Sequence, residues 1–438
     1  MSEQRKTRIL ILGGGFGGTY TAVHLDKAIG RDPDVEITLV NRENFFLFTP
    51  MLHEVAASDL EITNIVSPIR ALVRHTKFFC ADVDAVDLQN KRVTVSHGEG
   101  RHSHELKYDY MVLALGSTTN FFELPGIEEN SVTMKSLGDA IHLRNRIISH
   151  LEEADNECAA EDREGLMTFV VAGGGFAGIE TIGSVHDLVR NSLRFYPNID
   201  PKLVRAVVVH SGSIVLPELG PELGTYAAKK LTKRGIEIRT NSKVVRADKK
   251  SVTLNDGTVI ATRTLIWTAG TSSHGLLSKL PCAAEKGRIK VNEFMEVEKW
   301  PGVWALGDCA LVPDPLTGGH HPPTAQHAIR EGKAVARNVT AAIRGGKKRP
   351  LRFRTIGLLA SIGQRTGVAK IFGFKFSGFF AWWLWRSIYL SKLPRLEKKI
   401  RVAIAWTLDV LFPKDLVQFQ TELAPTMSDQ EATSSVPI

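Results

Sequence analysis

One short pattern occurs twice in this chain, and it constrains the fold more than any other feature. Arg8-Ile9-Leu10-Ile11-Leu12 is an unbroken apolar run of β type, as in a strand buried on both faces. It leads into Gly13-Gly14-Gly15-Phe16-Gly17-Gly18 and then into an apolar-periodic helix through Ala22, Val23 and Leu25. Residues 35–40 read as the next strand. The pattern returns 160 positions later: a strand at 168–172, a glycine turn from Gly173 to Gly178, a helix from Ile179 and a strand at 204–209. A lone GxGxxG is weak evidence, but one set between a strand and a helix is not. Gly13 and Gly173 permit the tight turn, and Gly15 and Gly175 let backbone approach a pyrophosphate. Gly18 and Gly178 let helix and strand pack closely. The helix N-terminus adds free N–H groups and positive dipole. The pattern predicts an α/β fold with two Rossmann-type dinucleotide-binding domains.

Both units lack the acid that usually ends the second strand and holds ribose hydroxyls. The first offers Asn41, Arg42 and Glu43, and the second offers His210 and Ser211. A neutral His and Ser do not repel a ribose 2′-phosphate, so the loop leaves NADPH open beside NADH. Further apolar strands at 111–115, 265–270 and 303–308 end in Gly116-Ser117, Ala269-Gly270 and Gly307-Asp308. Ligands bind beyond the carboxyl ends of such strands. Asp308 can accept from flavin ribityl hydroxyls or cap the segment that follows.

Charge is concentrated at the C-terminal end. The net charge is +8, and residues 347–414 hold 15 Lys and Arg against Glu397 and Asp409 alone. That block contains Phe379, Phe380, Trp382, Trp383, Trp385 and Tyr389. Arg386 breaks any continuous apolar span. A second helical pattern puts Ile400, Ile404, Leu408 and Leu411 on one face, with Lys398, Lys399 and Arg401 largely off it. Two such helices joined near Pro394 fit a monotopic membrane anchor in which Lys and Arg snorkel toward lipid. A dimer interface or a domain core is the alternative. Charge interleaved with Trp and Phe disfavours nucleic acid as a partner. No run is long and apolar enough to span a bilayer, and the N-terminus has no signal-peptide pattern. The four cysteines form no CxxC pair, and no metal-ligand spacing occurs.

Taken with Gly307-Asp308 and the Thr324-Ala325-Gln326-His327-Ala328-Ile329-Arg330-Glu331-Gly332 run, the glycine units make the chain resemble the type II NADH dehydrogenases. These are single-subunit flavoprotein NADH:quinone oxidoreductases. The resemblance covers roughly residues 7–415 and includes FLFTPMLHEVA from Phe46, LALGS at 113–117, GGGFAGIE at 173–180, WTAG at 267–270 and ALGDCA at 305–310. It implies an FAD-binding domain in two parts, 1–130 and 285–345, around an NAD(P)H-binding domain at 131–284. A membrane-anchoring region at 346–415 and a tail at 416–438, disordered from about 427, would follow.

The resemblance also implies site residues. Non-covalent FAD would meet Gly13, Gly15, Phe16, Gly17, Gly18, Asn41, Arg42, Thr49, Ala114, Gly116, Asp308 and Ala325, with Pro50 in the same loop as Thr49. NADH would meet Gly173, Gly175, Phe176, Ala177, Gly178, Glu180, His210, Ala269 and Gly270. Ala325 and Gln326 would line the quinone site, where Gln adds a donor without charge. A helix-capping role for Gln326 is the alternative. His327 is expected to be structural, and Glu180 could also handle protons. The implied enzyme passes hydride from NADH to FAD and electrons on to quinone, without proton pumping. It would work as a homodimer, peripheral on the cytoplasmic face of the inner membrane. Two other functions compete. A sulfide:quinone oxidoreductase would need cysteines near the flavin, with Cys158 and Cys309 the one conceivable pair. A nucleotide-binding redox sensor would show no turnover.

Overall fold

The computed structural model describes residues 6–157, 159–363 and 365–419. Cys158 and the tail beyond 419 lie outside the described residues, and with them the cysteine-pair and disordered-tail expectations. The first unit runs β1 (Thr7–Leu12), α1 (Phe16–Ile29), β2 (Val35–Asn41), α2 (Leu52–Ala56), β3 (Lys77–Cys80) and β4 (Tyr110–Leu113). The second runs β5 (Ser131–Thr133), α3 (Leu137–Asn156), β6 (Thr168–Ala172), α4 (Phe176–Ser192), β7 (Arg205–Val209), β8 (Ile236–Arg239) and β9 (Thr264–Trp267). The chain returns with β10 (Val303–Ala305) and α5 (Ala325–Ile343). It continues through β11 (Gly357–Ser361), β12 (Gly367–Ile371), β13 (Phe374–Gly378), α6 (Phe379–Lys392) and α7 (Leu396–Leu411).

Two parallel five-stranded sheets result, ordered β10-β4-β1-β2-β3 and β5-β9-β6-β7-β8. Both central strands are buried on both faces: Ile9 to Leu12 in β1 and every residue of β6. That is why they read as continuous apolar runs rather than alternating ones. The edge strands differ in origin. β10 completes the first sheet only after the second unit is finished, and an antiparallel pair, Ser117–Thr119 with Thr271–Ser273, ties the crossings together. Helix α3 starts at a capping box. Ser136 Oγ accepts from Asp139 N at 3.1 Å, and the Asp139 carboxylate accepts from Ser136 N at 3.0 Å.

Three strands are shorter than their apolar runs suggest. The strand at 111–115 ends at Leu113, that at 265–270 ends at Trp267, and that at 303–308 gives way to a 3-10 turn at Gly307–Cys309. Gly116-Ser117, Ala269-Gly270 and Gly307-Asp308 thus lie beyond the strand ends.

The C-terminal region differs more from its reading. Both expected helices form, but an antiparallel sheet β11-β12-β13 precedes them. Of the two helices, α6 lies on that sheet: Gly367 of β12 has no room for a Cβ, which would sit 2.8 Å from Trp382 N. Lys398 and Arg386 turn away from the expected lipid face. Lys398 Nζ donates to Thr63 O at 2.7 Å, and the Arg386 guanidinium stacks between Trp382 and Trp406 at 4.2 and 4.6 Å. The opposite face of α7 is bare: Ile400, Ile404, Leu408 and Leu411 are all exposed. No helix among the described residues is long and apolar enough to cross a membrane.

Candidate functional site

The two glycine turns have one geometry. Gly13 and Gly173 lie at φ of +103° and +118°, a region that side chains rarely adopt. A Cβ on Gly18 would fall 1.8 Å from Gly13 O, and one on Gly178 would fall 1.9 Å from Gly173 O. Only glycine fits at either place. Gly15 and Gly175 instead have nothing within 4 Å of an added Cβ, so their outer faces are open. Helices α1 and α4 begin there with no side-chain cap on their first N–H groups. Free donors, positive dipole and an open glycine face fit the pyrophosphate of a dinucleotide at both turns. Phe16, Gly17, Phe176 and Ala177 belong to those first turns.

Asn41 and His210 turn inward to the glycine loops. Asn41 Oδ1 accepts from Gly14 N at 2.7 Å, and Asn41 Nδ2 donates to Glu43 O at 2.8 Å. His210 Nδ1 accepts from Gly174 N at 3.2 Å, which puts the neutral ring's proton on Nε2. Both residues buttress a loop, and each keeps unused donor capacity for a ribose. Arg42 and Thr49 are exposed beside the first turn, above the packed rings of Phe16, Phe46 and Phe48.

The rest of the first cradle comes from three strand or helix ends. Ala114 N donates to Leu12 O, and the Ala114 carbonyl crowds Gly13. Gly116 follows at φ +68°. Asp308 Oδ2 accepts from Ser117 Oγ at 2.9 Å, and Ser117 Oγ accepts from Lys135 Nζ at 2.9 Å. Burial pushes Lys135 down while Asp308 and Asp139 hold it up. Asp308 therefore caps no helix. Ser117 and Lys135 escaped the sequence reading because only the fold brings them to Asp308. Helix α5, with Thr324 at its N-cap, lies flush on α1, since a Cβ on Gly332 would meet Gly17 O at 2.7 Å. Ala325 opens that helix. Gln326 Nε2 donates to Gly357 O at 3.1 Å, not to a helix terminus. His327 is buried between Thr324 Oγ1 at 2.7 Å and Thr355 Oγ1 at 3.3 Å, and burial pushes it down to about 4.

At the second turn, Ala269 is exposed and Gly270 abuts the Phe122 ring. Glu180, two residues past Gly178, reaches the C-terminal region. It is 8% exposed, and its Oε1 accepts from Ser361 N at 3.1 Å and Trp385 Nε1 at 2.9 Å. Its Oε2 lies 3.9 Å from His53 Nδ1. Burial pushes the Glu180 carboxyl up to about 8, against the two hydrogen bonds that favour its ionised form. Beside it, Glu54 Oε2 accepts from Trp406 Nε1 at 2.9 Å. The site thus joins α2 and α4 to the C-terminal region. Sequence reasoning missed His53, Glu54, Trp385 and Trp406. The available signal was a His-Glu pair inside an otherwise apolar run.

Two nucleotide-ready turns on two parallel sheets define a pyridine nucleotide-dependent oxidoreductase. Residues 7–332 match the family described as pyridine nucleotide-disulphide oxidoreductase. Residues 356–415 match the NDH2 C-terminal domain, and the chain belongs to the type II NADH:quinone oxidoreductases. It is 32% identical over 423 residues to a type II NADH:quinone oxidoreductase of Mycobacterium tuberculosis, covering 93% of this chain and 89% of that one. A protein of Dictyostelium discoideum named as a probable NADH dehydrogenase is 31% identical over 420 residues, covering 94% and 91%. NDH2 from Plasmodium falciparum, solved in complex with NADH, has the same fold, with a TM-score of 0.88 at 20% identity over 94% of this chain and 100% of that one.

Proposed function

We propose that this chain is an FAD-containing NADH:quinone oxidoreductase that works at a membrane surface without pumping protons. One observation carries the reading. Helix α4 opens at the second glycine turn and, a little over one turn on, sets Glu180 against Trp385 and Ser361 of the C-terminal region. The proposed nucleotide site and the proposed lipid-facing region are thereby joined through one helix.

FAD, when bound, supplies the chemistry by accepting hydride from NADH and passing the electron pair to quinone. The chain supplies position. The turn Gly13–Gly18, with Asn41, Arg42, Thr49, Ala114, Gly116, Asp308 and Ala325, would hold the flavin nucleotide. The turn Gly173–Gly178, with His210, Ala269 and Gly270, would hold NADH. Gln326 has one amide N–H engaged by Gly357 O, and the other is available to a quinone carbonyl. Glu180 was expected at the NADH site. It also accepts from Ser361 of β11, the strand whose Gly357 accepts from Gln326, which supports a place for Glu180 toward the quinone side, where a protonated carboxyl can donate. The proposed domain limits are FAD at 1–130 and 285–345 and NAD(P)H at 131–284, a division that the strand order of the two sheets supports.

The bare face of α7, with Phe379, Trp383 and Leu396 nearby, is the proposed contact with lipid. Burying one such side chain contributes on the order of 1 kcal/mol or more. Deleting everything after Gly346 is a poor test, since Trp385, Val402 and Trp406 are part of the packed core. Ile404→Glu with Leu408→Glu in the full chain should release it from anionic vesicles, since a carboxylate neither buries in lipid nor pairs with its headgroups. Retention on those vesicles would remove this face as the anchor. A homodimer on the cytoplasmic face of the inner membrane completes the proposal.

Rapid mixing without oxygen separates the two half-reactions. Gln326→Ala should slow flavin reoxidation by quinone roughly 2- to 12-fold, one neutral hydrogen bond, and spare reduction by NADH. The reverse pattern refutes the quinone assignment. The sulfide alternative fares worse on chemistry. Cys309 is buried, donates to Leu306 O and Leu113 O, and has its thiol pushed up to about 11.

A further inference from the structure

NADH brings two electrons and one proton as hydride, whereas a quinone becoming a quinol takes two electrons and two protons. Each turnover therefore draws one proton from water. Quinone approaches from an apolar surface, so this proton needs a polar route of its own.

The fold provides one. A cavity of about 800 Å³ lies between α2, α4, the turn after β11 and the end of α7. Asp59, Asp187, Arg365, Asp409 and Lys414 line it, and His53 and Glu54 form part of its wall. His53 Nδ1 is 3.9 Å from Glu180 Oε2. Three titratable groups thus run inward from cavity water. We propose that Glu54 is a proton-relay residue, taking protons from the water of this cavity and handing them toward Glu180 past His53. The proposal rests on the quinone reading above. In each cycle Glu180 gives its proton to reduced quinone, Glu54 replaces that proton, and water replaces the one on Glu54. No side chain is oxidised or reduced.

The surroundings suit that work. Burial pushes Glu54 up to about 8, with Asp59 and with Asp409 of α7 in the same direction. Arg386 of α6 and the Trp406 hydrogen bond act against them. Glu180 faces it from α4, and Lys414 at the cavity wall is paired with Asp59. At neutral pH both carboxyls hold a proton they can give. Burial and Arg386 push His53 down to about 3, so its neutral ring can accept at one nitrogen and donate at the other.

The test uses the full-length, FAD-loaded enzyme in detergent with a soluble quinone. Glu54→Gln keeps an acceptor for Trp406 Nε1. Flavin reduction by NADH should stay within about 2-fold, while reoxidation by quinone should fall roughly 10- to 100-fold. Reoxidation of the wild type should decline above about pH 8, where Glu54 and Glu180 both lose their protons, and in the variant the decline should follow Glu180 alone and become less steep. Glu54→Asp should restore part of the rate. An infrared band of a protonated carboxyl, present in the wild type at neutral pH, should be missing from Glu54→Gln. An unchanged reoxidation rate and pH profile, an equal loss in both half-reactions, or no lost infrared band would each overturn the proposal. A wild-type flavin that NADH reduces but no quinone reoxidises would instead refute the functional reading, and the infrared titration would still report on Glu54.

Discussion

The two glycine units share a turn and a buttress but differ in what their helices touch. In the first, α1 is covered by α5 of the same domain, with Gly332 against Gly17. Two residues past the last glycine stands Tyr20, half-buried, with its ring 6.1 Å from that of Phe46. In the second, Glu180 occupies the matching place and α4 is covered by the C-terminal region. A Cβ on Gly183 would sit 3.0 Å from the Ile362 backbone, and Arg234 links Asp187 to Ile362 O. The turn is a generic device for a pyrophosphate. The helix behind it decides whether the site is insulated or wired to another part of the molecule.

The sharpest way to break this comparison is to spoil each turn in the same manner. Gly18→Ala and Gly178→Ala both force a Cβ to within 2 Å of a carbonyl oxygen. Overpacking of this kind costs about 1–3 kcal/mol, roughly 5- to 150-fold in a binding constant. Gly18→Ala should lower the flavin-to-protein absorbance ratio after gel filtration. Gly178→Ala should keep flavin and raise KM for NADH. Flavin loss from Gly178→Ala, with Gly18→Ala unaffected, would reverse the assignment of the two units.

The residue past the turn gives a smaller, pH-dependent difference. Glu180 and Glu54 hold protons up to about pH 8 in the folded chain, against an ordinary 4.5 when unfolded. Between those values the folded state binds more protons, so stability falls as pH rises, then levels off above about 8. The slope is at most about 1.4 kcal/mol per pH unit for each group. His53 acts oppositely and lower: pushed from 6.5 to about 3, it makes stability rise across that window. Tyr20, pushed upward from 10, adds no slope below that. Thermal melts should therefore drop from pH 6.5 to 8, and Glu180→Gln should remove about half the drop. An unchanged drop would show that Glu180 ionises normally despite its burial.

How much of this was legible depends on the range of the contacts. The strands and turns came through because their signals are local: apolar runs for β1 and β6, glycines where no Cβ fits. The ends of β4, β9 and β10 were overrun because strand propensity says nothing about where pairing stops. The sheet β11-β12-β13 was legible only in part: β13 alternates as Phe374, Lys375, Phe376 and Ser377, but each strand is five residues long and β11 and β12 do not alternate. The link from Glu180 to Trp385 spans 205 positions, and no spacing rule reaches that far. Arg386 was read only as a break in the apolar span and Lys398 only as lying off the apolar stripe; that two indoles and a carbonyl satisfy them inside is a long-range matter.

The smallest effect tests the buttress itself. Asn41 and His210 both accept from the second glycine N–H of their loops, at 2.7 and 3.2 Å. If that is their shared task, His210→Asn should be nearly silent, with KM for NADH changed less than about 3-fold, because an amide oxygen replaces an imidazole nitrogen. His210→Ala should cost one neutral hydrogen bond, about 0.5–1.5 kcal/mol, or roughly 2- to 12-fold in KM. His210→Glu keeps an acceptor but adds a negative charge where a ribose 2′-phosphate would lie. It should leave NADH use close to wild type and widen the gap in kcat/KM between NADH and NADPH. The three variants separate two roles that the wild type combines. A large loss in His210→Asn with no loss in His210→Ala would deny the buttress. An unchanged nucleotide ratio in His210→Glu would place the ribose away from this loop, and the likeness of the two units would then stop at the turn.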